Sequence, residues 1–512
     1  MSPNSRLTAK DEHIERSRRH SVSRNATLNL IGSVVPIFVT LATVPPYLRL
    51  VGDVRFGILA LVWLFLSYFG LFQMGLGTAT SKYIAELRDC PGNTREAIFW
   101  TAALTNLGLG ILGGLLLWIV ARMTMPLWLK TSGEMQAEVG RALPWLAAAV
   151  PVATLTSVLV GALEGCEQFG ITNSQQIGAT ILFQIVPLSV AYWFGPRLDW
   201  LIGAAVLTRM ATNLPLLISC VRHVPLRHRP KIDRLWIGQL FSFGVWITVS
   251  GIISPILTSL DRFVVGLVRG PQAVTYYVIP YNFATKLAVI PFSLSRALFP
   301  RFSAQQSSEA QNMAARAVLA LAALLTPIVV VAILVTQPFF RLWIGPTAAA
   351  RCTRPAELLL FGTWINSLAW PPGGMLVAQG RPDLNAKFHM IEVGPFVLML
   401  WAGIHFGGVT GAAAVWSLRA TVDAVLLLFA ASILRKVIFR LMPAMIAIIL
   451  SLIASLLVDE HLVWRGAMVV VLGISSLLVA HATSPEVTQL GARRLRAMYG
   501  KYRVRPIPGV SG

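Results

Sequence analysis

The stretch Thr258–Ser303, TSLDRFVVGLVRGPQAVTYYVIPYNFATKLAVIPFSLSRALFPRFS, decides how this chain is read, because its layout occurs twice. Set Tyr47–Glu86, YLRLVGDVRFGILALVWLFLSYFGLFQMGLGTATSKYIAE, beneath it at an offset of 218 residues, and Gly52 falls on Gly270, Leu76 on Leu294 and Ala79 on Ala297. Each copy has a short charged turn containing Gly, then a long apolar run rich in aromatic and small residues. Each leaves through a cationic exit, Lys82 and Arg88 in one copy and Arg296 and Arg301 in the other. Repeated units of this kind set an architecture, so they are read first.

Hydrophobic residues make up 55% of the chain and charged ones only 13%, with a mean hydropathy of +0.67. A soluble globule is about one quarter charged, so this is an all-α polytopic membrane protein. A helix needs about 20 apolar residues to cross the hydrocarbon core, and fourteen such runs lie between residues 25 and 482. The pairs Pro45-Pro46 and Pro371-Pro372 are expected to kink or break the first and tenth. Cys90, Cys166, Cys220 and Cys352 have no CxxC spacing, so neither a disulfide framework nor a zinc site is implied, and no cofactor is expected.

The net charge of +21 would point to nucleic acid in a soluble protein. Here an even span count puts both termini on one side. The tails and even-numbered loops hold 28 of the 43 Lys and Arg, against 12 in the odd-numbered loops, which makes that side cytoplasmic and removes the need for a nucleic-acid partner. Arg16, Arg18, Arg19 and Arg24 resemble the n-region of a signal peptide, but the apolar run after them is too long for an h-region and no A-x-A site closes it. The first span is therefore expected to stay uncleaved.

The organisation that follows has a basic cytoplasmic tail at 1–24, an N-lobe of spans one to six over 25–221 and a basic cytoplasmic linker at 222–236. A C-lobe of spans seven to twelve covers 237–433, two extra spans lie within 434–485, and a basic cytoplasmic tail occupies 486–512. The natural contact of that last tail is anionic membrane lipid. GAAVLTRMATNLPLL (203–217) against AAAVWSLRATVDAVLLL (412 onward), at an offset of 210, aligns Arg209 with Arg419 and Asn213 with Asp423. Glu164-Gly165 is matched with Gln379-Gly380 at an offset of 215. Six spans per copy is an even number, so the copies share one orientation, about an axis along the membrane normal.

A charge in hydrocarbon costs about 2.5–3.5 kcal/mol even on the lenient insertion scale, so charges inside spans tend to face a cavity. The cations are Arg209, Lys286 and Arg419. Glu357, Glu392 and Asp423 are the carboxylates within spans, and Asp261 and Glu164 stand at span ends. Arg209 has Ala205, Val206, Thr212 and Asn213 at three and four residues, none acidic, and Lys286 is equally without a local partner; both are read as lining a pathway. Arg419 and Asp423 are four apart and can pair on one helix face, as a structural bridge or as part of that pathway. Asp261 and Arg262 can cap or pair locally. Tyr276, Tyr277, Tyr281 and Phe283 read as packing or belt aromatics before sugar platforms.

Leu260-Asp261-Arg262-Phe263-Val264-Val265-Gly266, then Gly270-Pro271, Tyr276 and Leu298-Phe299-Pro300-Arg301-Phe302-Ser303, resemble the seventh and eighth spans of the Wzx-type polysaccharide flippases, relatives of lipid II flippases and MATE exporters. Val51-Gly52, Phe56-Gly57, Gly75-Leu76-Gly77 and Lys82-Tyr83-Ile84-Ala85 resemble that family's first two spans. Gln73 and Met74 stand where the family commonly has an acidic residue, so this place offers no carboxylate for cation coupling. The resemblance implies a fourteen-span inner-membrane protein that moves a polyprenyl-pyrophosphate-linked oligosaccharide to the outer leaflet. Two lobes would alternate access to a cationic cavity, alongside other polysaccharide-assembly proteins. The alternative it leaves is a MATE-like cation-coupled exporter of small molecules. An enzyme is not expected: no HExxH, DxD or phosphate-binding Gly-rich loop is present.

The charge asymmetry makes a topological prediction. Single cysteines placed near Arg227 and in the C-terminal tail should be shielded from a membrane-impermeant thiol reagent outside intact cells, and one near Ser132 should be labelled. Labelling near Arg227, or protection near Ser132 that permeabilisation relieves, overturns the even-span topology.

Overall fold

A computed structural model of the chain describes residues 35–67, 75–87, 92–128, 132–224, 226, 228–457 and 462–485. The tails 1–24 and 486–512, Gln73, Met74 and Arg227 lie outside the described residues. The described residues are helical, with no strand among them. The chain packs as two compact units, Met1–Thr275 and Tyr276–Gly512.

The first unit contains α1 (Val35–Val51), α2 (Asp53–Ser67), α3 (Leu76–Glu86), α4 (Gly92–Trp128), α5 (Gly133–Gly165), α6 (Phe169–Phe194), α7 (Leu198–His223) and α8 (Arg234–Arg269). α9 (Pro271–Thr285) follows. Then come a single 3₁₀ turn, Lys286–Ala288, and α10 (Val289–Ala304), α11 (Ser307–Ile344), α12 (Pro346–Ala378), α13 (Pro382–Ala430), α14 (Leu434–Leu457) and α15 (Leu462–Thr483). Among the described residues, eight helices are long and apolar enough to cross a membrane, which marks an integral membrane protein.

Two departures from the sequence expectation have physical causes. The run 273–298 is not one helix, because the 3₁₀ turn at Lys286 separates α9 from α10. The runs 387–405 and 409–433 are two helices, as expected; they form the two halves of α13 and fold back on each other at Gly408, whose φ of 58° and ψ of −137° are open to glycine and strained for other residues. α1 and α12 continue through Pro45-Pro46 and Pro371-Pro372 without a break in helix, as transmembrane helices allow where neighbours re-satisfy the freed carbonyls.

The internal repeat is visible in the corners. Gly52 and Gly270 are each the single residue between two helices, at φ 79° and 82°, and each donates its amide four residues back, to Leu48 and Gly266. At the other ends the register needs correcting. α5 closes with amides of Cys166, Glu167 and Gln168 on the carbonyls of Ala162, Glu164 and Leu163. α12 closes the same way, with Gln379, Gly380 and Arg381 on Met375, Val377 and Leu376. The left-handed residue is Glu167 (φ 61°) in one and Gly380 (φ 79°) in the other. The two caps therefore superpose at an offset of 213, and the expected match of Glu164-Gly165 with Gln379-Gly380 is displaced by two residues.

In the first unit α5 is the helix on which the others rest. Ser157, Gly161 and Gly165 form a small-residue stripe at four-residue spacing against Gly77 and Ser81 of α3, and a Cβ added to Gly161 would run into the carbonyl of Gly77. Gly110 and Gly114 of α4 approach Pro151 and Ala147 of α5 in the same fashion. One hydrophobic cluster gathers Ile58, Leu143, Val150, Leu198 and Leu201, and a second gathers Leu76, Phe99, Leu159, Leu163 and Leu216. Buried Glu138 fixes the helix starts: it accepts from Arg55 at 3.1 and 2.7 Å and from the amide of Leu198 at 3.2 Å.

The second unit is built on α11, α12 and α13, with α14 and α15 against α11. Trp364 donates to Thr326 at 3.1 Å, and Ser417 donates to the carbonyl of Leu358 at 2.7 Å, beside Gly362.

The Gly161 contact is testable. Gly161→Ala should destabilise the protein by about 1–3 kcal/mol, the range for overpacking, and lower its melting temperature in detergent. Gly178→Ala, which meets nothing within 4 Å, should not. Equal melting temperatures for the two variants would contradict the close approach of α3 and α5.

Candidate functional site

In the first unit a cleft of about 490 Å³ opens between α5, α6 and α7. Its walls follow from helical spacing. On α5, Ala153, Thr156, Val160 and Glu164 recur at three and four residues, and on α6 Thr172, Gln175, Gln176, Ala179 and Phe183 do the same. α7 contributes Arg209, Thr212 and Asn213 from one face. A run of hydroxyls and amides is thus enclosed in an otherwise apolar bundle.

The polar wall is pre-organised. Asn213 and Thr156 hydrogen-bond side chain to side chain at 2.8 and 3.0 Å, and Asn213 Nδ2 also reaches the carbonyl of Val152 at 3.4 Å. Gln175 donates to the carbonyl of Thr212 at 3.1 Å, and the hydroxyl of Thr212 to that of Arg209 at 3.0 Å. These bonds fix α6 and α7 around the base of the cleft, where a buried amide without partners would be costly.

Arg209 is half-buried there, its guanidinium 5.8 Å from the centroid of Phe183. Among the described residues no carboxylate lies within 4.0 Å of it. The ring face attracts the cation but supplies no hydrogen bond acceptor for its fork. Glu164, also half-buried and lining the cleft, likewise has no ion-pair partner among the described residues. The sequence singled out Arg209 but not the amides of α6 that line the same cleft. The helix begins at Phe169, six residues before the apolar run expected from 175, so a polar turn and a half lies inside it.

The second unit places the remaining candidates. Lys286 is half-buried at the 3₁₀ turn, a local helix form frequent at hinges, and no carboxylate lies within 4.0 Å of it among the described residues. Arg419 is buried and its ion pair runs to Glu392 at 3.4 Å, across the two halves of α13, rather than to Asp423 on its own helix face. Asp423 lies 3.7 Å from His389, so a second rung crosses the same hairpin. Phe396 stacks under Arg419 at 5.4 Å. Glu392 Oε1, Arg419 Nε and Asp423 Oδ1 make no hydrogen bond among the described residues. Glu357 takes Arg354 at 2.9 Å and the hydroxyl of Ser455 at 2.5 Å, which ties α12 to α14. Asp261, in α8 of the first unit, is fully buried, accepting the amide of Arg262 at 2.9 Å, with the Arg262 guanidinium 4.0 Å away. No group of three His, Cys, Asp or Glu side chains among the described residues could hold a metal ion.

The fold defines an all-helical, multi-pass membrane protein. The structure is similar to that of a lipid II flippase, MurJ, in an inward closed conformation, with a TM-score of 0.69 at 12% identity over 92% of this chain and 99% of that one. It is also similar to an inward-facing multidrug resistance MATE family transporter of the MOP superfamily, with a TM-score of 0.57 at 14% identity over 79% of this chain and 95% of that one. Residues 22–306, more than half of the sequence, match the family described as "Polysaccharide biosynthesis protein", and the chain belongs to that family. A Shigella flexneri relative named "Putative O-antigen transporter" is 27% identical over 413 residues, 80% of this chain and 97% of its own.

The Arg419–Glu392 pair gives a stability prediction. Removing one member of a buried pair costs about 3–5 kcal/mol, so Arg419→Ala should lower the melting temperature sharply. Arg419→Met combined with Glu392→Gln should recover most of the loss. A double variant as unstable as the sum of its single changes would show that the two groups are not coupled.

Proposed function

We propose that this protein flips a polyprenyl-pyrophosphate-linked oligosaccharide from the cytoplasmic to the outer leaflet of a bacterial inner membrane. It supplies surface polysaccharide assembly: lipopolysaccharide, O-antigen or exopolysaccharide. It does so by alternating access of its two lobes, with both termini cytoplasmic, and has no catalytic chemistry of its own. Its partners are the lipid-linked substrate, membrane lipids and other polysaccharide-assembly proteins. Membership of the polysaccharide biosynthesis family supports the substrate class, and the flippase-like fold supports a transport mechanism.

The observation that carries the reading is Arg209, a cation with no carboxylate partner among the described residues, inside a polar cleft of a membrane-embedded bundle. A buried charge needs a counter-charge. An arginine fork suits a phosphate bidentately, so an anionic headgroup would supply what the helices do not. Lys286 is proposed as a second cation on the pathway. Arg419 contributes less to an anion, because Glu392 already neutralises it.

Flipping of lipid-linked oligosaccharide, followed by its accumulation on the cytoplasmic leaflet in cells, tests this. Arg209→Ala and Lys286→Ala should abolish flipping at unchanged protein abundance. Lys286→Arg should be tolerated, and Arg209→Lys should be impaired because the fork is lost. Full flipping by both alanine variants would refute the cationic pathway. Normal oligosaccharide export with altered efflux of small organic cations would favour the exporter reading.

A further inference from the structure

The cleft that holds Arg209 is sorted by charge along its length. α5 and α7 run parallel, as three rungs show: Glu138 with the amide of Leu198, Val152 and Thr156 with Asn213, and the carbonyl of Leu159 with the thiol of Cys220. Arg209 is one turn before the Asn213 rung, and Glu164 is eight residues beyond Thr156. At 1.5 Å per residue the cation and the carboxylate are about 18 Å apart along the bundle. Between them the wall presents the amides of Asn173 and exposed Gln176, since α6 runs antiparallel to α7 with Gln175 level with Thr212.

Arg209 only donates hydrogen bonds and an ionised Glu164 only accepts them. A single ligand satisfying both must carry an anion at one end and several donors at the other. The ends also fall in a fixed order relative to the membrane: Glu164 is at the end of α5 that the charge asymmetry places toward the cytoplasm, and Arg209 is deeper. A glycosylated lipid diphosphate has the same order, with its phosphates next to the hydrocarbon and its hydroxyl-rich sugars toward water.

We propose that Glu164 is a sugar-recognition residue of this cleft, accepting hydrogen bonds from hydroxyls of the glycan while Arg209 holds the phosphate, so that the cleft selects glycosylated over bare lipid diphosphates. The proposal rests on the flippase reading. It adds a specificity-determining carboxylate that the charge arguments for the pathway do not require, since an acidic group by itself repels a diphosphate.

The test uses the full-length protein in nanodiscs and two probes, farnesyl diphosphate and the lipid-linked oligosaccharide extracted from the cells that make it. Glu164→Gln keeps the shape and removes the charge. It should weaken binding of the oligosaccharide lipid about tenfold, the scale of a lost charged hydrogen bond. Affinity for farnesyl diphosphate and the melting temperature should not change. If Glu164→Gln alters both probes alike, or neither, the sugar role is overturned. Arg209→Ala is the separate arm: it should weaken both probes. If it weakens neither, the phosphate site underlying the proposed function fails, whatever Glu164 does.

Discussion

The close backbone approach of α3 and α4 to α5 is the constraint on which the first unit depends. Helices in lipid gain nothing from moving apolar surface out of water, so their association rests on tight van der Waals packing. At Ser157, Gly161 and Gly165 side chains are small enough for α3 to press on the α5 backbone, and at Gly110 and Gly114 α4 does the same. α5 is thereby fixed on two sides. The faces left over are available for polar work, and that is where Thr156 and Glu164 line the cleft.

A second logic governs the charges. Where an ionised group in the bundle has a neighbour of opposite sign, it serves the fold: Glu138 anchors Arg55 and the start of α7, Glu357 links α12 to α14, and Arg419 bridges the halves of α13 to Glu392. Arg209 and Lys286 depart from that pattern among the described residues. Their desolvation is not offset by a described carboxylate, which is what the proposed anionic substrate would supply. The 3₁₀ turn at Lys286 adds a place where the helix can change shape without losing a long run of hydrogen bonds.

Likeness of fold at 12% and 14% identity to a lipid II flippase and a MATE transporter establishes an architecture shared across different cargoes. Cargo is decided by side chains in sites, not by the scaffold. In this chain the candidate site is a polar cleft lined by an arginine and a glutamate, and the family match gives that pattern its chemical context.

The sequence by itself determined the all-helical membrane class, the Gly52 and Gly270 corners and the position of Arg209 inside a helix without a local carboxylate, because hydropathy, a glycine at a helix joint and a charge in an apolar run are local properties. It left the end of the repeat two residues out of register, since Gly165 and Gly380 look alike as letters and only the hydrogen bonds at the caps show that Glu167 takes the left-handed place. Tertiary structure alone decided that Arg419 pairs with Glu392 instead of Asp423. The partners are 27 residues apart and meet only because α13 folds back at Gly408. It alone also collected Gln175, Gln176, Glu164 and Arg209 around one cleft, because that depends on which faces of three helices turn toward each other, and helix faces are set by packing.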